Sequence, residues 1–305
     1  DGLRFGADAT FAGDNKRSGA MISYWWMPPN TEKDTDDKDV DEDAEEGENE
    51  DSEKSDENKD KKKSSKKIGV YIFNEDGDTI RNYTIKPDSG FNRTYWNLRA
   101  NGVNYPSYST PKKDADKPSG NKVKPGKYKI LLVKDDFKDS TSVTIKSDPR
   151  VPFSLEAYNQ KEKLNNQLQD YTKAAFDLVT NLNDASKRIG MVNQNIELLE
   201  DSVQAKIKKQ GKTCQDSINK YYELFMTAKD FEGYDHVTVR INELLGSANE
   251  YINGPTDKPG PQAEIALKNV ERELQKAAKT INGFFETNWK NYQDLVKQSE
   301  HKLFK

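Results

Sequence analysis

Cys214 is the sole cysteine of the 305-residue sequence, and His236 and His301 are its only histidines. A thiol nucleophile needs a nearby base. Cys214 and His236 fall in adjacent helical segments, so thiol chemistry is the first to weigh. Cys214 lies at helix-stripe spacing with Ile218, however, which makes it a core or interface thiol, and His236 follows Tyr234-Asp235 as a helix-start residue. His301 sits at the C-terminal end. One cysteine allows neither an intrachain disulfide nor a multi-cysteine zinc site, and two distant histidines form no histidine-rich metal centre. No phosphate-binding loop, dinucleotide fingerprint or EF-hand loop occurs. Glycosidase work needs two carboxylates about 5–10 Å apart, one with a raised pKa, and spacing singles out no such pair among the 52 acidic residues. Asp148, Arg150 and Glu156 lie near the expected boundary between two domains, where Asp148 and Arg150 read as polar contacts that fix a hinge. No catalytic, cofactor-binding or metal-ligating residue is assigned, and no cofactor is expected.

Two aromatics invite a binding reading. Trp25 and Trp26 are adjacent in a strand, and adjacent strand residues point to opposite faces. One is therefore core, and the other faces solvent, the helical half or a neighbouring domain, as an interface or carbohydrate-stacking side chain. Nucleic acid is not an expected partner. The run Lys61–Lys67 is short and neutralised by acidic neighbours, and the rest of the chain carries only a small positive charge. No run of about 18 apolar residues exists, so no helix spans a membrane.

The elements that must position these residues follow from an uneven composition. The net charge is −4, with 33% apolar and 33% charged residues. The apolar deficit is concentrated in Thr31–Lys67, where 17 acidic and 9 basic side chains accompany only Val40 and Ala44. Such a tract cannot bury enough apolar surface to offset chain entropy, so it reads as a disordered, solvated insertion. Long loops add little closure entropy, and a fold tolerates one between two strands.

Asp1–Arg150 reads as β. Ala20–Met27, Val70–Phe73, Thr79–Ile85, Arg93–Leu98, Tyr128–Val133 and Ser140–Lys146 are strand candidates. Asp76-Gly77 between the second and third is a hairpin signal, because glycine accepts positive φ. Strands at this spacing, with no helical pattern between them, predict an antiparallel sandwich. Without the insertion 113 residues remain, close to the ~100 of an immunoglobulin-like domain. Trp96 is the expected core residue, with Pro125-Gly126 starting the strand that brings Tyr128 beside it.

Val151–Lys305 reads as helical. Leu164, Leu168, Tyr171, Ala175, Leu178, Leu182, Ala185, Ile189, Val192, Ile196, Leu199 and Val203 alternate spacings of four and three, a coiled-coil-like heptad seam. The spacing predicts one helix over 154–209, N-capped near Ser154 and ending at Gln210-Gly211. Stripes downstream predict a second helix through Ile218–Phe231, a short third over Val239–Ile252, and a long one over 261–302 after the Pro-rich segment 254–261. The expected fold class is α+β in two segregated domains. An immunoglobulin-like antiparallel β-sandwich (1–150, with the insertion 31–67) precedes an elongated antiparallel helical bundle (151–305).

The segment Gly90-Phe91-Asn92-Arg93-Thr94-Tyr95-Trp96-Asn97, followed by Pro125-Gly126-Lys127-Tyr128, resembles the immunoglobulin-like module of flagellar hook-capping proteins and bacterial secretion-tail domains. The upstream hairpin pattern, D-x-x-G-x-x-x-R, appears as Asn74 to Arg81, with Asn74 in place of Asp. Over nearly the whole chain, one motif order is similar to the C-terminal region of large bacterial sortilin-like proteins with BNR/Asp-box repeats, often labelled glycosyl hydrolases. In that order Leu3-Arg4-Phe5-Gly6 and Gly19–Tyr24 come first, then the Trp96 strand, Pro125–Tyr128 and Asp148-Pro149-Arg150-Val151, and last Asn183-Asp184-Ala185 with Arg188-Ile189. In that family a β-propeller precedes this region. The sequence starts at Asp1 and reads as a piece of something longer. The resemblance implies a secreted, periplasmic or cell-surface bacterial protein, with the absent propeller as partner and other proteins or glycans as further ones. The expectation is a non-catalytic accessory scaffold. Two alternatives stay open: completion of the cleft of a parent glycan or peptide hydrolase, and an independent carbohydrate- or protein-binding module.

Overall fold

The computed structural model describes residues 17–28, 67–150, 154–196, 199–229, 231–233, 238–255 and 258–303, without side chains for 300–303. The motif Leu3-Arg4-Phe5-Gly6, the insertion 31–67 up to Lys66, and His236 lie outside the described residues. So does Val151 of the Asp148–Val151 motif. Strands and helices are segregated, and contacts divide the chain into two units. One comprises Asp1–Leu98 with Lys127–Val143, and the other Arg99–Gly126 with Thr144–Lys305.

In the sheet unit β1 (Ala20–Trp26) pairs antiparallel with β4 (Gly90–Trp96). A second sheet has the order β3-β2-β7-β8, from β2 (Ile68–Phe73), β3 (Thr79–Ile85), β7 (Gly126–Lys134) and β8 (Phe137–Ile145). The β2–β3 hairpin forms at Asp76-Gly77, where Gly77 has φ +88°. Asn74 closes it by accepting the Asp78 amide at 2.8 Å and donating to the Asp78 carboxylate at 3.3 Å. An asparagine can do both, whereas an ionised aspartate only accepts. Asn92 has a comparable task. Its side chain accepts from Asp88 N at 2.8 Å and donates to the carbonyls of Asp88 and Gly90, fixing the turn into β4. Ile22, Ile68, Val70, Ile72, Trp96, Tyr128 and Ile130 are buried. Trp96 meets Tyr128 edge-on at 5.3 Å between ring centroids and so joins the two sheets. Gly19, at φ +119°, lets the backbone pass Trp96, because a Cβ there would sit 2.3 Å from its carbonyl oxygen.

The helical unit contains α1 (Leu155–Asn195), α2 (Asp201–Tyr222), α3 (Ile241–Asn253), α4 (Pro261–Phe284) and α5 (Lys290–Leu303). A π-helical turn, Phe285–Trp289, links the last two without a break. Ser154 caps α1 by accepting from Ala157 N at 3.2 Å, and Pro261 opens α4 at its first turn, where its missing N–H is harmless. Leu182, Ile207, Ile218, Phe225, Leu245 and Ile281 belong to one continuous buried core.

Several expectations are corrected, among them the second helix, which ends at Tyr222 and does not reach Phe231. The single helix over 154–209 is two helices. α1 ends at Ile196 and α2 begins after Glu200, with Ser186 Oγ donating to Gln215 Oε1 at 2.9 Å across the pair they form. Asn195, whose side chain bonds back to the Met191 carbonyl, weakens the helix end, and Asp201 complements the positive start of α2. Gly211 does not end a helix. It lies inside α2, where an added Cβ would come within 3.3 Å of the Tyr292 ring. The heptad seam is buried or packed against the core along α1, and Val179, just off it, joins the core at 1% exposure beside a partly buried Leu178. A straight α-helix has 3.6 residues per turn and drifts from a 3.5-residue repeat.

The contacts also divide the chain differently from a boundary at Arg150. Segment 99–126, carrying the short pair β5 (Arg99–Asn101) and β6 (Ser119–Lys122), groups with the helices. Tyr108 donates to the Thr227 carbonyl at 2.8 Å and packs on Tyr222 at 4.9 Å. Asn183 donates to the carbonyl of Ser107 and to Thr110 Oγ1, and Asn242 to the carbonyl of Pro106.

Candidate functional site

Alternation along β1 separates the two tryptophans. Ile22, Tyr24 and Trp26 face inward, and Met21, Ser23 and Trp25 face outward. Trp26 is half-buried with the Lys134 ammonium 5.9 Å from its ring centroid, whereas Trp25 is 67% exposed. Register then builds an outer face. Met21 lies opposite Tyr95, Ser23 opposite Arg93, and Trp25 opposite Phe91. Phe91 is 59% exposed. The Arg93 guanidinium lies 5.2 Å from the Phe91 ring centroid, and that of Arg17 lies 5.0 Å from the ring of Tyr95. The result is a strip of methionine and aromatic surface edged by two cations, with no carboxylate on either strand's outward positions. It can stack against planar or apolar surface.

The inward side chains line a groove of about 710 Å³ beside Ile68, Ile130, Leu132 and Phe137. Burial, and then the charge of Asp88, pushes the Tyr24 hydroxyl upward. Trp96 and Tyr128 sit together in the core, and Gly126 starts β7 with Pro125 just before it.

The remaining candidates lie apart from this face. Cys214 is 1% exposed, and its thiol points at the Asn288 carbonyl 3.8 Å away. Burial raises its pKa, opposite to what a nucleophile needs. Asp148 and Arg150 form a local two-point pair, Nη2 to Oδ2 at 2.7 Å and Nε to Oδ1 at 3.0 Å. That pair holds the Asp148 carboxyl at about 2. Among the described residues no group of three or more His, Cys, Asp and Glu side chains gathers, and no helix is long and apolar enough to cross a membrane.

Sequence reasoning reached Trp25 and missed Phe91, Arg93, Tyr95 and Arg17. The period-2 spacing of Phe91, Arg93 and Tyr95 is legible, but their placement beside Trp25 depends on the β1–β4 pairing across more than 60 residues. Compared with known proteins, the chain matches no family model, no curated protein and no solved structure.

Proposed function

We propose that the chain is a non-catalytic accessory region that docks a second folded domain on the outer face of β1 and β4. The observation that carries this reading is the outward row of Met21, Trp25 and Phe91, each more than half exposed, which half-buried Tyr95 extends and Ser23 and Arg93 bridge. Exposed apolar side chains scattered singly are ordinary, but contiguous ones mark contact surfaces. The reading includes an immunoglobulin-like sandwich for the sheet unit. Pairing of β1 with β4, against an order β3-β2-β7-β8, supports it, as does Tyr128 near the start of its strand. The motif order supports placement as the C-terminal scaffold of a secreted or surface propeller protein of the sortilin-like Asp-box kind. The propeller is then the domain that the face contacts.

Hydroxyl-radical footprinting tests this directly. Met21, Trp25 and Phe91 oxidise readily in the isolated 305-residue chain, and they are protected in the protein as its cells make it. Equal oxidation in both preparations overturns the docking reading.

A further inference from the structure

The helical unit carries a second feature that the docking reading does not use. Asn181, Asp184 and Arg188 stand at i, i+3 and i+7 on α1 and therefore share a face. Opposite them stand Phe285 and Trp289 of the π-turn and Gln293 of α5. Together they line a hollow of about 300 Å³. The π-turn builds its floor. Trp289 lies five positions after Phe284, and both are buried. A regular α-helix would rotate the second of them away from the core, whereas the wider π-turn brings positions i and i+5 closer to one face. Trp289 is thereby turned inward, 6.3 Å from Phe285 and 5.5 Å from Tyr292 between ring centroids.

The polar wall is unspent. Among the described residues Asn181, Asp184, Arg188 and Gln293 have no hydrogen-bond or ion-pair partner. Asp184 and Arg188 do not pair although they lie one turn apart, where opposite charges commonly meet. Asp184 only accepts hydrogen bonds, Arg188 only donates them, and each amide does both. Opposite charges on one wall disfavour a simple ion: an anion meets Asp184 and a cation meets Arg188. A neutral ligand with adjacent hydroxyls satisfies all four groups, because each hydroxyl donates and accepts. The half-buried Phe285 ring gives the hollow an apolar edge beside the inward-turned Trp289. The volume is at the small end of ligand pockets, roughly 300–1,000 Å³.

We infer that this hollow binds one pyranose unit of a neutral glycan. Ligand-observed saturation-transfer NMR on the 305-residue chain tests it with the methyl glycosides of glucose, galactose, mannose and N-acetylglucosamine. At least one gives saturable transfer. Arg188→Ala and Asp184→Asn each weaken it by roughly tenfold or more, as loss of a hydrogen bond to a charged group does. Both side chains are exposed, and unchanged thermal unfolding verifies that the variants fold. A Trp25→Ala, Phe91→Ala double variant binds as the parent does, which separates this site from the docking face. Absence of transfer from all four glycosides overturns the inference. So does transfer that survives both helix variants, transfer abolished by the Trp25/Phe91 pair instead, or displacement of the glycoside by glycine or phenylalanine, which would mark a zwitterion site.

Discussion

The sheet unit and the helical unit treat large apolar side chains differently. Trp25, Phe91, Met21 and Met27 are each more than half exposed, and the first three share one face in adjacent register. In the helical unit Phe225, Phe284, Trp289 and Tyr292 are buried, and its exposed apolar residues, such as Leu155, Met191 and Ile265, lie on separate stretches of helix. A helix that lines a core hides one stripe and leaves the remainder polar. A two-stranded sheet with one face on the core has an entire second face to fill, and here that face carries Trp25, Phe91 and Tyr95 beside Met21, Ser23 and Arg93. The contrast sets the buried positions of both units, where substitution should cost stability, against the exposed strip that the proposed docking would use.

Breaking each core tests that contrast most severely. Trp96→Ala removes the side chain that joins the two sheets, and its expected cost is about 3–5 kcal/mol. Leu182→Ala, at a fully buried site of α1, costs about 2–5 kcal/mol. Denaturant unfolding measures both, and a cost near zero at either site would remove it from the core.

A finer comparison sets two buried tyrosines side by side. Tyr222 donates to Asn183 Oδ1 at 2.7 Å, whereas the Tyr292 hydroxyl is buried with no hydrogen-bond partner among the described residues. Tyr222→Phe strands an acceptor on Asn183 and costs about 1–3 kcal/mol. Tyr292→Phe removes an unsatisfied group and leaves stability unchanged or improved. The reverse order would show that the Tyr292 hydroxyl, and not that of Tyr222, is satisfied.

Alkaline titration sharpens the same pair. Burial pushes both hydroxyls up to about 12 from 10.0, with smaller contributions from Tyr108 on Tyr222 and from Cys214 on Tyr292. The unfolded chain releases these protons near 10, so above that pH it binds fewer protons than the fold, and stability declines as pH rises. The contribution is complete below pH 10 and lost as pH passes through about 12. Tyr292→Phe shallows the decline, and an unchanged slope in unfolding measured across that window would exclude Tyr292 from it.

Smaller effects belong to the surface. Ser154→Ala deletes the α1 cap and costs about 1 kcal/mol. The Trp25→Ala, Phe91→Ala pair changes stability by only about 0.5 kcal/mol, as exposed substitutions do, while abolishing footprint protection. A loss of several kcal/mol from that pair would mean that the strip is structural.

Much of the local structure was legible in the residues. The Asp76-Gly77 hairpin, the burial of Trp96 with Tyr128, the Ser154 cap and the Pro261 helix start depend on neighbours a few residues apart or on the size of one side chain. The π-turn at Phe285–Trp289 was not legible, because Ile281, Phe285, Trp289 and Tyr292 also fall at ordinary helical spacing. Three features depended on partners distant in the chain. Tyr108 lies in a polar loop with no helical periodicity, and its hydrogen bond to Thr227 and contact with Tyr222 tie segment 99–126 to the helices. The end of α1 at Ile196 was masked by a heptad register that runs on through Val203, and the turn shows only when α2 packs back along α1. The strip beside Trp25 required the β1–β4 register, which brings together strands separated by the whole charged insertion. Local propensity and periodicity are properties of a short window of chain, and the sequence by itself determines them. Which stripe is finally buried, and which aromatics share a face, is decided only by packing between segments that no window contains.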